Sequence, residues 1–85
     1  MQSRYLDAEG TVISITYPGA GTTPAVRVTI ELDDRLLVLV FQSRHTLHSL
    51  EIGNRVRVCG NVVAVAGMPT IYNPNYMILP VKTVR

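Results

Sequence analysis

Val26-Arg27-Val28-Thr29-Ile30-Glu31-Leu32, then Asp33-Asp34, then Arg35-Leu36-Leu37-Val38-Leu39-Val40-Phe41 is the stretch on which the fold turns. In its first part, four apolar residues (26, 28, 30 and 32) alternate strictly with Arg27, Thr29 and Glu31. Period two is the mark of a strand with one buried face and one wet face. Asp33-Asp34 supplies a tight turn, and residues 35–41 form the return strand of a hairpin. That return strand is apolar at every position from 36 to 41, so both of its faces call for cover. A closed barrel covers the inner face. The outer face then needs the chain's own helix or tail, a second copy, or a partner.

Upstream, residues 10–17 are rich in β-formers (Val12, Ile13, Ile15) and end at Tyr17-Pro18-Gly19. Residues 18–24 are Gly, Pro, Thr and Ala, a loop of the kind that carries binding function. Downstream, residues 42–50 form the one expected helix, with Ser43 as its cap and Leu47 and Leu50 on one side. Ile52-Gly53-Asn54 turns the chain into a fourth strand, where Val56, Val58 and Val62 alternate with Arg55, Arg57, Cys59 and Asn61. Gly60 within it marks a bend, which a small barrel needs in order to curl. Residues 66–69 make a hairpin loop, and Thr70-Ile71-Tyr72 opens a last strand that Asn73-Pro74-Asn75 interrupts before residues 76–84. Three strands, a short helix and two strands give an all-β, five-stranded Greek-key barrel. No strand–helix–strand unit repeats, which excludes a doubly wound sheet.

Eighty-five residues make one domain, residues 1–85, with its core at about 9–84. At 47% hydrophobic and 16% charged the chain is not disordered, and with no Trp and one Phe its core is aliphatic. The net charge of +2, from seven Arg and one Lys against six acids, permits contact with a polyanion without demanding it. Cys59 stands alone, so no internal disulfide is possible. Residues 1–10 contain Arg4, Asp7 and Glu9 rather than an apolar leader, and no run is long enough to span a bilayer. A cytoplasmic protein with no membrane contact is expected.

Several of these pieces carry a resemblance. Gly10-Thr11-Val12, Val28-Thr29-Ile30 running into Asp33-Asp34, and Leu37 to Phe41 match in order and spacing. The most diagnostic match is Leu50-Glu51-Ile52-Gly53-Asn54-Arg55-Val56-Arg57-Val58-Cys59-Gly60-Asn61-Val62, followed by Ile71-Tyr72-Asn73-Pro74-Asn75-Tyr76. Over about residues 9–80 the chain resembles the oligonucleotide/oligosaccharide-binding (OB) domains grouped with the anticodon-binding domain of class II aminoacyl-tRNA synthetases. Within that group it is most similar to the wedge-type OB domain of fork-remodelling DNA helicases. It departs from them in lacking a glycine at the Asp33-Asp34 turn and in having few aromatic and Lys residues for a binding face.

The resemblance implies a ligand laid across the second and third strands, gripped by the loops at residues 17–24 and 66–69. Single strands need cations along the backbone and aromatic rings for the bases. The expected nucleic-acid-binding residues are Tyr17, Arg27, Thr29, Phe41, Arg55, Arg57, Tyr72 and Tyr76. Each has a plainer reading. Phe41 ends an apolar strand and suits the core, Tyr72 or Tyr76 suits the barrel end, and the arginines suit a solvated face paired with Glu31 or Glu51. His45, His48 and Cys59 match no tetrahedral ligand set, so neither metal nor cofactor is expected. No nucleophile has an evident base, and Gly19-Ala20-Gly21 precedes a strand rather than a helix, so no catalysis is expected. The functional expectation is non-catalytic binding of single-stranded nucleic acid with low sequence preference, DNA ahead of RNA, in replication or repair. The alternative is a protein-interaction or assembly module docking through its apolar outer strand face. A homodimer or larger assembly fits either one.

Overall fold

The period-two segments become strands that close into a ring. The computed structural model describes residues 4–44, 47 and 49–80. Its strands are β1 (Arg4–Thr16), β2 (Ala25–Glu31), β3 (Leu36–Gln42), β4 (Arg55–Val65), β5 (Met68–Tyr72) and β6 (Asn75–Ile78). β1 pairs with β2, β2 with β3, β3 with β5, β5 with β4, and β4 with β1 again. All pairings are antiparallel except β3–β5. This is the five-stranded OB-type barrel, with β6 added along β4. Inside it pack Val12, Val26, Val28, Ile30, Leu37, Leu39, Val56, Val58 and Ile71, all at most 1% exposed. The core is aliphatic and largely β-branched, as the composition requires.

β1 begins at Arg4 rather than at residue 10. Its first half pairs with β4, from Arg4–Val62 to Thr11–Arg55, and its second half with β2, from Thr11–Glu31 to Thr16–Arg27. Gly10 sits at that changeover. A Cβ there would lie 2.7 Å from the Glu31 carbonyl oxygen and 2.9 Å from Leu32 Cδ2. An extra residue at Ile13 shifts the β1–β2 register and bends the strand further.

Two expectations are corrected. Among the described residues of the 42–50 segment there is no helix. Gln42 ends β3, and Ser43 and Ser49 take left-handed φ values of 61° and 69°, which a right-handed helix cannot include. His45 and His48 lie outside the described residues. Leu47 and Leu50 are nevertheless buried, and they join the core cluster without helical backbone. The last strand is also two strands. β5 runs beside Val62–Val65 of β4 and β6 beside Val56–Cys59, with the break at Asn73-Pro74. Asn73 has φ 52° and Pro74 has no N–H for a ladder. Gly60, opposite the break, makes room for Ile71, whose Cγ2 would lie 2.6 Å from an added Cβ.

The outer face of β3 is covered in part by its own neighbours. Leu37, Leu39 and Phe41 point inward, while Leu36, Val38 and Val40 alternate outward. Val40 is only 4% exposed, Val38 is half-buried, and Leu36 is 38% exposed.

Candidate nucleic-acid interface

Strand register decides which outward side chains stand side by side. Thr16 on β1 pairs with Arg27 on β2, Arg27 with Val40 on β3, and Val40 with Tyr72 on β5. These four form one row across the barrel wall. The next row is Ser14, Thr29, Val38, Thr70 and Val63. Thr70 is buried there, and its hydroxyl donates to the Met68 carbonyl at 3.1 Å.

The first row floors a cleft of about 640 Å³. Val40 lies at the bottom, with Arg27 and Tyr72 on either side. The β1–β2 loop forms the further wall through Tyr17, Pro18, Thr22 and Thr23. That loop is shaped by Thr22, whose hydroxyl and amide both donate to the Gly19 carbonyl, at 2.7 and 3.3 Å. Gly21 there has φ 79°, the left-handed region that glycine enters without a Cβ clash. Tyr17 is 49% exposed and Tyr72 44%, so each offers ring surface to solvent. A guanidinium between two half-exposed phenols, over an apolar floor, can hold a phosphate and stack flat rings.

The other residues singled out from the sequence fall elsewhere. Thr29 is on the same face, one row along. Phe41 is buried and meets Tyr76 edge to face, with ring centroids 5.4 Å apart at 78°. The Arg44 guanidinium lies 6.0 Å from the Phe41 ring centre. Phe41 and Tyr76 therefore form part of the barrel's packing, and Phe41 has no face free for a base. Arg55 and Arg57 stand on the β1–β4 wall, away from the cleft. Arg55 donates to Thr11 Oγ1 at 3.2 Å. Arg57 grips Asp7 through two hydrogen bonds, Nε to Oδ1 and Nη2 to Oδ2, both 2.9 Å. The expected second gripping loop reduces to a two-residue turn, Ala66-Gly67, with φ 51° and 81°. It lies at the opposite end of the barrel, because β5 starts beside the start of β3.

Gln42 was missed from sequence, yet it lines the cleft. The signal was available, since Gln42 continues the outward parity of Leu36, Val38 and Val40. A second hollow of about 680 Å³ opens at the far end of the barrel, lined in part by Leu6, Leu32, Leu37 and Val62. Among the described residues that line it, three arginines (4, 35, 55) are balanced by three acids (9, 33, 34) and Tyr5 is the one aromatic, so it lacks the net positive charge a polyanion needs. Among the described residues no group of three or more His, Cys, Asp or Glu gathers as metal ligands would.

The Arg57–Asp7 pair has its own consequence. Hydrogen bonding from Arg57 holds the Asp7 carboxyl below the ordinary aspartate value, and the same contact raises Arg57. A depressed folded-state pKa adds stability above the unfolded value and loses it as pH falls through the folded one. Asp7→Asn is therefore expected to lower the urea midpoint at pH 7, and by a smaller margin near pH 2, roughly two units below the ordinary carboxyl value. An equal loss at both pH values would remove the electrostatic account of the pair.

No protein-family model matches the sequence, and no curated protein matches it. Among solved structures, the crystal structure of the tetrameric p202 HIN2 matches with a TM-score of 0.70 at 18% identity. The match covers 93% of this chain and 43% of that one, so the chain spans less than half the length of that structure. At this identity the likeness is one of fold, and together with the ring order it identifies the chain as an OB-like barrel.

Proposed function

We propose that the barrel binds single-stranded nucleic acid in the cleft between Tyr17 and Tyr72, without catalysis and with little sequence preference. The observation that carries this reading is the single row in which Arg27 and Tyr72 flank Val40, with Tyr17 across the same cleft. Bases stack on the two tyrosines, and a phosphate lies on Arg27. Stacking tolerates any base because every base has a π-face. The resemblance to the helicase wedge domains puts DNA ahead of RNA.

The test is an anisotropy titration with labelled oligo-dT and a matched ribo-oligonucleotide, each over a range of salt. Each neutralised phosphate contributes about −0.7 to the slope of log K against log salt for single strands. With Arg27 as the one arginine among the described residues that line the cleft, a slope of about −0.7 to −1.4 is expected. Arg27→Ala should flatten it. No binding to any strand at low salt would sink the proposal, and a much steeper slope would move the contact to another face.

A further inference from the structure

Asn73 follows Tyr72 at the point where the chain leaves β5, and it makes three hydrogen bonds to β3. Its amide donates to the Val40 carbonyl at 2.7 Å. Its Oδ1 accepts from the Gln42 amide at 2.9 Å, and its Nδ2 donates to Gln42 Oε1 at 3.0 Å. The residue reaches this geometry with φ 52°, a conformation that asparagine tolerates better than most non-glycine residues. Both side chains are exposed, yet they are locked to each other across the seam between β3 and β5. Pro74 comes next and is buried, which fixes the exit of the chain. Tyr72 is thus held between its β3 pairing partner Val40 and this clasp.

We propose that Asn73 is a positioning residue for the cleft. Its amide, clasped to Gln42, fixes the end of β5 so that the Tyr72 ring stands over Val40 as a preformed stacking surface. The inference rests on reading the cleft as a nucleic-acid site. A ring fixed before binding loses less freedom when a base settles on it, and that difference appears as affinity. Gln42 serves the same end from β3, through both its backbone amide and its side chain.

The experiment is a double-variant cycle in the full chain, titrating labelled oligo-dT into wild type, Asn73→Gly, Tyr72→Ala and the two combined. Glycine keeps the left-handed backbone and removes only the amide. Asn73→Gly is expected to weaken binding by about two- to tenfold, the loss of one pre-ordered side chain. In the Tyr72→Ala background it should add nothing, because the residue acts through that ring. An equal loss in both backgrounds, or none in either, overturns the proposal. A second measurement needs no ligand. The ring-current shift of the Val40 methyl groups should be kept in wild type and in Asn73→Asp, which retains the acceptor for the Gln42 amide, and lost in Asn73→Gly. An unchanged Val40 shift in Asn73→Gly overturns the clasp even if wild type binds. A clear change in a protein that binds no oligonucleotide would uphold the clasp while the nucleic-acid reading fell.

Discussion

Gly10→Ala is expected to destabilise the barrel by about 3 kcal/mol, the upper part of the usual range for overpacking. The added methyl would meet the Glu31 carbonyl oxygen at 2.7 Å, and that oxygen belongs to the backbone of β2. It cannot swing aside as a side chain can, so β1 and β2 must part where β1 passes from one partner strand to the other. Small domains have roughly 5–15 kcal/mol in all, so this is a large share. Gly60→Ala provides the comparison. Its nearest neighbour is the Ile71 Cγ2 at 2.6 Å, a side-chain methyl in the core, and the expected loss is smaller, about 1–2 kcal/mol. Urea midpoints of the two variants measure the order, with equal m-values as the check on two-state behaviour. A Gly10→Ala midpoint at or above that of Gly60→Ala would show that β2 yields more easily than its pairing suggests.

Removing both stacking rings, Tyr17→Ala with Tyr72→Ala, should reduce oligonucleotide affinity by about thirtyfold or more, since each stacked base is worth roughly 1–3 kcal/mol. Neither residue belongs to the core cluster, so any loss of thermal stability should be confined to the uncovering of Val40 when Tyr72 is removed. Arg57→Ala is the control for location. Arg57 stands on the opposite wall with Asp7, so its loss should leave affinity within about twofold of wild type, as expected for an exposed and already neutralised charge. Anisotropy titrations of all three chains decide the matter. If Arg57→Ala weakens binding more than the double tyrosine variant, the ligand lies on the β1–β4 wall and the cleft is not the site.

Strand alternation made much of this barrel legible. The residues 26–41 hairpin, the Gly60 bend and the interruption at Asn73 all follow from single-residue constraints that act locally. The first half of β1 was hidden because Asp7 and Glu9 alternate with small or modest apolar residues, Leu6 and Ala8, which give a weak pattern. The helix failed for a different reason. Leu47 and Leu50 have helical spacing, but the barrel needs only their burial, and left-handed serines let an irregular chain deliver it. At the site, alternation correctly put Arg27 outside, while the short run before Asn73 left open whether Tyr72 or Tyr76 packs the barrel end. It could not tell that Arg57 faces Asp7, because that pairing joins residues fifty positions apart. Phe41 shows the same limit, since an apolar strand end reads alike whether it points in or out.

The apolar outer side of β3 no longer calls for a partner along its whole length. Val40 is covered within the chain, and the exposed remainder centres on Leu36. The parallel β3–β5 contact consists of three residue pairs, Val38–Thr70, Leu39–Ile71 and Val40–Tyr72, and it joins strands that are far apart along the chain. The cleft straddles that junction, with Arg27 on one side and Tyr72 on the other. Anything bound there ties the two sides together, so occupancy and ring closure are thermodynamically linked. Its binding free energy, RT ln(1 + [L]/Kd), opposes any opening that separates the cleft walls. The ligand would then act as a latch on the shortest pairing in the ring.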